Sequence, residues 1–295
     1  MRSKAPSLMR ESARILREIF ESGLTEIGME MIRQIVARYR ALPPAQRARA
    51  INDNIAWKGE NAYRALVLDT MAEIAFDAIQ GARKEVPGTG RIKLAEEIDA
   101  IKFEEETIFE RLPITLQAKL RKRAELLVGT QLADLQKTIF FQYLNSYDTT
   151  EDTRILEADI KEAAAEYISG TAITSGADLT ATSVVNTSRN AFFIDSEVAA
   201  QLDAFQFVNG DPVTPICSDL DGTVFAVDDP DLFKYTPPLH WNCKSYIVPI
   251  PAGHLGGREI EKLKPSTKAL DDSIQFAEHL KHAHAREKSC TCCGS

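Results

Sequence analysis

Three residues in the stretch from Phe207 to Pro251 have side chains suited to binding a soft metal ion: Cys217, His240 and Cys243. Cys217 stands in a turn-rich segment with Asn209, Gly210, Asp211, Pro212 and Pro215, while His240 and Cys243 form an H-x2-C pair directly after Pro237-Pro238. Thiolate, imidazole and thiolate together are zinc ligands, and a zinc ion can pin a small knuckle whose own core is too thin to hold it. The alternative is that Cys217 and Cys243 are buried apolar residues and His240 a hydrogen-bonded structural histidine. The partner position of a C-x2-C pair is Thr214, a poor ligand, and Asp211 or Asp219 could supply an oxygen instead. Asp221-Gly222 reads as a hairpin turn with positive φ at the glycine.

These residues need elements to position them. Short apolar runs follow each anchor, Thr223 to Val227 and Ser245 to Ile250, in the pattern of strands joined by tight turns. Upstream, the chain reads as helical. Leu8, Ile15, Leu16, Ile19 and Phe20 recur at helical spacing over residues 7–21. Gly23 breaks that pattern, and Ile27, Met31, Ile32, Ile35 and Val36 resume it over 25–41, where Leu42-Pro43-Pro44 stops it. A short polar helix or loop is expected over 45–55, then long helices over about 59–84 and 115–143, separated by a linker at Pro87-Gly88-Thr89-Gly90. The charged stretch at 96–106 reads as a solvated helix face. The run Asp148-Thr149-Thr150-Glu151-Asp152 starts a helix that Gly170 ends. A polar turn then leads to helices over about 178–193 and from Asp195 or Ser196 to about Ala204. Arg189 is suited to a phosphate or a partner carboxylate, or else pairs with Asp195 or the Asp211 loop.

Composition narrows the function classes. A chain of 295 residues is long enough for about two domains. A net charge of −8 argues against a protein that coats nucleic acid, because phosphate neutralisation supplies most of that affinity. The best local basic run is QAKLRKR at 117–123, which reads as a solvated helix surface. No apolar run reaches the ~18 residues of a membrane span, and the first residues read as an ordinary helix, not a secretion signal. Five cysteines, three of them at Cys290, Cys292 and Cys293, do not make a disulfide framework and point to a reducing compartment. With His279, His282 and His284 they form a Cys/His-rich tail beyond a helix expected over 267–287, read as frayed and exposed. No glycine-rich phosphate cradle, G-x-S-x-G or H-E-x-x-H occurs.

The order of elements is more informative than any one of them. N-T-S-R-N-A at 186–191, a helix, a short apolar strand, G-D-x5-C-x2-L-D-G-T-V-F and P-P-L-H-x-N-C-K resemble the phage Mu F-like domain. That family comprises minor capsid or head-morphogenesis proteins of tailed phages and prophages. Asp211, Cys217, Leu220, Asp221, Gly222, Pro238, His240, Asn242, Cys243 and Lys244 match its C-terminal signature, and Thr187 and Arg189 resemble its T-x-R helix. Thr214 and Ser245 depart from it, standing where many members carry cysteines. The match covers about residues 150–251.

The resemblance implies a structural protein, not an enzyme. It would sit in the virion, inside the capsid or at the portal vertex, after assembly in the host cytoplasm. Its partners would be the portal protein, other capsid or scaffolding proteins and packaged DNA, with roles in procapsid assembly and DNA packaging or ejection, and zinc would be the cofactor, held by Asp211, Cys217, His240 and Cys243. The competing reading is a metal-dependent nuclease or other nucleic-acid-processing enzyme centred on His240. The expected fold is a mainly α N-terminal region (1–147), a small α+β domain of helices and short antiparallel strands (148–252), and a linker, helix and tail (253–295).

Overall fold

The computed structural model describes residues 3–51, 59–86, 107–150, 152–210, 214–230, 232–240 and 243–260. The expected linker at 87–90, the charged stretch at 96–106, Asp211, Asn242 and the tail with its cysteines and histidines lie outside them. The architecture is helical, with a small antiparallel sheet in the C-terminal region. The helices are α1 (Ala5–Ala41), α2 (Glu60–Arg83), α3 (Ile114–Ser146), α4 (Thr153–Ile168) and α5 (Thr171–Phe193), with a 3-10 helix at Pro44–Ala50. The short helices α6 (Ser196–Ala199), α7 (Pro215–Leu220) and α8 (Leu232–Tyr235) alternate with strands β1 (Leu202–Val208), β2 (Val224–Ala226) and β3 (Tyr246–Pro251). No helix among the described residues is long and apolar enough to cross a membrane.

Compactness divides the chain otherwise than a cut at 147/148. One unit holds the described residues of Met9–Phe76 and Lys102–Val184, the other those of Met1–Leu8, Asp77–Ile101 and Val185–Ser295. The first unit is a helical bundle. Leu16, Phe20, Leu24, Ile27, Met31, Ile35 and Tyr39 lie on one stripe of α1 and are all buried, the i, i+4, i+7 pattern of a core-facing helix. Leu120, Ala124, Val128, Leu132, Leu135, Ile139 and Tyr143 do the same for α3, which packs along α4. The N-terminus of α4 is capped as its sequence indicates, the Asp152 carboxylate accepting from the Arg154 amide at 2.8 Å.

The break expected at Gly23 does not exist, and α1 runs unbroken for 37 residues. A Cβ at this glycine would overlap Cδ2 of the Tyr63 ring, so the residue permits close approach of α2 and ends nothing. The Tyr63 ring cannot swing aside, because its hydroxyl donates to Oε1 of buried Gln131 at 2.7 Å. The Gln131 carbonyl in turn accepts from the Tyr167 hydroxyl at 3.2 Å, which brings α4 into the same arrangement. A polar turn after Gly170 is likewise absent. α5 begins at Thr171, because Ile173 and Ala177 bury their side chains while Gly176 faces open space.

In the second unit β1 is the central strand, in the order β2-β1-β3, antiparallel on both sides. Ala204, Val224 and Ile250 form one small apolar cluster with Leu255 against it. On the other face, Phe205 lies 5.9 Å from the Phe193 ring at the end of α5. The helix expected to run from Asp195 or Ser196 to Ala204 ends at Ala199. Residues 202–204 join the strand, since a central position lets their backbone groups pair with strands on both sides. The strands expected after each anchor are β2 and β3. The glycines of the expected 253–257 linker form turns, with positive φ at Gly253, Gly256 and Gly257.

Gly23 gives a direct test. Glycine to alanine inside a helix ordinarily stabilises by up to about 1 kcal/mol. Gly129, central in α3 with nothing within 4 Å of a Cβ, is expected to behave so. Gly23→Ala is expected instead to lose about 1–3 kcal/mol from overpacking against Tyr63. Urea denaturation of both variants measures the contrast, and a stabilised Gly23→Ala would refute the close packing of α1 on Tyr63.

Candidate metal centre

Cys217 enters the site from α7, a helix of six residues that Pro215 starts. Cys243 and His240 come from the segment that leads from α8 to β3. The ligand atoms of Cys217, His240 and Cys243 all lie within 4.8 Å of one another. The two sulfurs are 3.8 Å apart, and Nε2 of His240 is 3.1 Å from the Cys217 sulfur. Both thiols are buried and the imidazole is half-buried. This is a group able to hold a metal ion. Among the described residues no carboxylate joins it: Asp219 is exposed on α7, and Asp211 lies outside the described residues.

The thiols are unequal. The hydrogen bond between them favours the Cys243 thiolate and brings its pKa down to about 6, while the same bond, with burial, pushes Cys217 up to about 12. Hydrogen bonds from Ser245 favour the charged form of both sulfurs. Ser245, which stands where a further thiol was conceivable, thus serves as a hydroxyl neighbour of the thiols.

The segments that carry these ligands are held by one face of α5. Asn186, Arg189 and Asn190 are spaced i, i+3, i+4 and point the same way. The Asn186 side-chain amide donates to the Ser245 carbonyl at 2.9 Å, and that of Asn190 to the Pro237 carbonyl at 2.7 Å. Arg189 reaches the Ile247 carbonyl at 3.3 Å. Thr187, half-buried, sits about a quarter turn off this face. Arg189 pairs neither with Asp195 nor with the Asp211 loop. It is 2 % exposed and holds Glu85 in a two-pronged contact, Nη1 at 2.7 Å and Nη2 at 2.9 Å, with Ser3 Oγ at 3.2 Å and the Phe193 ring beneath it. Burial favours this choice: a guanidinium removed from water needs a carboxylate that is removed with it.

The L-D-G element is structural. Gly222 has φ +80° and its amide donates to the Phe207 carbonyl at 3.0 Å. The turn joins α7 to β2 and is not a hairpin between strands, because residues 215–220 wind into a helix. The Asp221 carboxylate accepts from the Asn209 amide at 2.8 Å and so clamps the end of β1. Leu220 is half-buried and its carbonyl accepts from Thr223. Lys244 is exposed, but its carbonyl oxygen occupies the space that a Cβ on Gly210 would need. Glycine is therefore required at 210 for the loop after β1 to meet the segment holding Cys243.

Sequence reasoning missed Asn186, Asn190, Glu85 and Ser3. The first two were detectable as amides on the same helical face as Arg189, while Glu85 and Ser3 carry no local signal. The basic run at 117–123 starts α3. There Leu120 is buried, Arg121 lies over the Phe109 ring at 5.2 Å, and burial lowers the pKa of Arg123. No protein-family model, curated protein or solved structure matches this chain.

Two outcomes follow from this geometry. Replacing Arg189 with Leu strands Glu85 in a buried place and is expected to cost about 3–5 kcal/mol, more than the Arg189→Leu, Glu85→Leu double variant. Chemical denaturation followed by circular dichroism checks the order, which a double variant as unstable as the single would reverse. For metal-free protein, the depressed Cys243 pKa stabilises the fold above the ordinary thiol range, and this contribution is lost as pH falls through about 6. The raised Cys217 pKa contributes below the ordinary range and is lost as pH rises through about 12. Thiolate ultraviolet absorbance should accordingly rise in two widely separated steps, the first near pH 6. A single step near the ordinary thiol pKa would contradict the sulfur–sulfur hydrogen bond.

Proposed function

We propose that this chain is a minor capsid or head-morphogenesis protein of a tailed phage or prophage, seated at the portal vertex, with a structural zinc knuckle at Cys217, His240 and Cys243. The observation that carries this reading is the convergence of the motif in space. The polar face around Arg189 grips the carbonyls beside the H-x2-C pair, and the three ligands gather within 4.8 Å. The donor spacing supports zinc. Bonds of about 2.3 Å at a tetrahedral ion set two thiolates about 3.8 Å apart, and the sulfurs are 3.8 Å apart here.

The ion would tie α7 to the segment before β3, a cross-link of value where the sheet has three strands and a small apolar cluster. A knuckle buried in this way supports a structural role: its donors face each other, not a cleft. The nuclease alternative would require His240 to act on water beside a phosphate-binding metal. Nε2 of His240 instead faces Cys217 and Thr214.

The test co-expresses the chain with the portal protein of the same genome and follows both by gel filtration and elemental analysis. The expected result is co-elution with portal, about one zinc per chain, and loss of zinc and of thermal stability in the Cys217→Ser, Cys243→Ser variant. Failure to associate with portal, together with metal-dependent DNA cleavage abolished by His240→Ala, would replace this reading with the nuclease.

A further inference from the structure

Thr214 is the residue of the site that its neighbours leave unexplained. It occupies the N-cap position of α7, with φ −108° and ψ 131°, where a threonine hydroxyl ordinarily accepts from an amide of the first turn. It makes no such bond. The side chain turns toward the thiols and the imidazole, placing Oγ1 2.9 Å from Nε2 of His240 and within hydrogen-bonding reach of Cys217. Three potential ligand atoms and this hydroxyl therefore close on one small volume. Nε2 of His240 meets both Oγ1 of Thr214 and, at 3.1 Å, the sulfur of Cys217, and that sulfur meets the sulfur of Cys243 at 3.8 Å. Four donors so arranged match the corners of a tetrahedron around one ion.

Resting on the zinc reading above, we propose that the Thr214 hydroxyl is the fourth ligand of the metal centre. The site then consists of two thiolates, one imidazole and one hydroxyl, the last a weak, exchangeable position. A neutral hydroxyl is a poorer donor to zinc than a thiolate, so the ion is held less tightly than at a site closed by three thiolates and an imidazole. It also leaves the centre with one negative charge fewer than a third thiolate would provide. Ser245 supports the same assignment: its hydroxyl bonds to both sulfurs and not to the ion, so the two hydroxyls of the site have different tasks.

The experiment measures zinc affinity by competition with a chromophoric chelator, and cobalt-substituted spectra, for the full chain and for Thr214→Val, Thr214→Ser and Thr214→Cys. Valine keeps the shape and removes the donor, so zinc affinity is expected to fall about 10–100-fold. Serine keeps the donor and is expected to bind as the parent does. Cysteine is expected to bind at least about 10-fold more tightly, with sulfur-to-cobalt charge-transfer absorption rising as a third thiolate joins. Valine binding zinc as tightly as threonine, with an unchanged cobalt spectrum, would overturn the assignment while leaving a three-ligand zinc site intact. Zinc refused by both the parent and Thr214→Cys would overturn the zinc centre itself. The serine variant guards against misreading a folding defect: a loss shared by serine and valine refutes the hydroxyl as ligand.

Discussion

A guanidinium at 2 % exposure can exist only where the fold supplies its partners, and the second compact unit is organised by that requirement at Arg189. Glu85 meets it with both carboxylate oxygens, Ser3 with a hydroxyl and Ile247 with a carbonyl. Apolar packing tolerates small sliding of one element on another, but a planar fork of fixed donors does not. Once Arg189 is seated, the register of α5 against β3 is set. Asn186 and Asn190 can then reach only the Ser245 and Pro237 carbonyls, which stand on either side of His240 and Cys243. The geometry of the metal centre is in this sense inherited from an ion pair that touches none of its ligands.

How much of this could be read from sequence depends on the range of the signal. Helices α1 to α4 were legible because their apolar residues recur every three or four positions and the stripe is the core. Asp152 was legible as a cap because capping is settled within three residues. Cys217, His240 and Cys243 were legible as a group because few residue types ligate soft metals. The glycine at 23 was misread because the same residue serves two opposite purposes, ending a helix or letting another element approach it, and only the distant Tyr63 decides which. The start of α5 was hidden by Thr171, Thr174, Ser175 and Gly176, which favour turns unless Ile173 and Ala177 have something to pack on. The end of α6 was hidden because Leu202 and Ala204 suit a helix until strands on both sides compete for their backbone. Glu85 lies 104 residues from Arg189 and could not be paired with it by any local rule.

The departures from the Mu F-like pattern also acquire a physical meaning. Thr214 and Ser245 stand where thiols were looked for, and both hydroxyls face the sulfurs. Hydroxyl donors favour thiolate over thiol without adding charge of their own. On the proposed reading, the centre trades tightness for a lower charge density in a small apolar setting. A site built in this way holds segments together and is poorly suited to turnover, since its donors are spent on one another.

The contact between Ser3 and Arg189 spans 186 residues, and those of Arg189 and Asn186 with β3 close the same unit from the other end. A chain synthesised from its N-terminus therefore exposes residues 3–8 for most of its translation before their neighbours exist. The helical unit, whose segments are complete by residue 184, has all its own contacts available earlier. Loop closure over such a distance is slow and entropically costly, so the unit that carries the metal centre is the late-folding one. Until it closes, Ser3 and Glu85 wait for an arginine far along the chain, and a nascent protein truncated before residue 247 has no means of completing the arrangement.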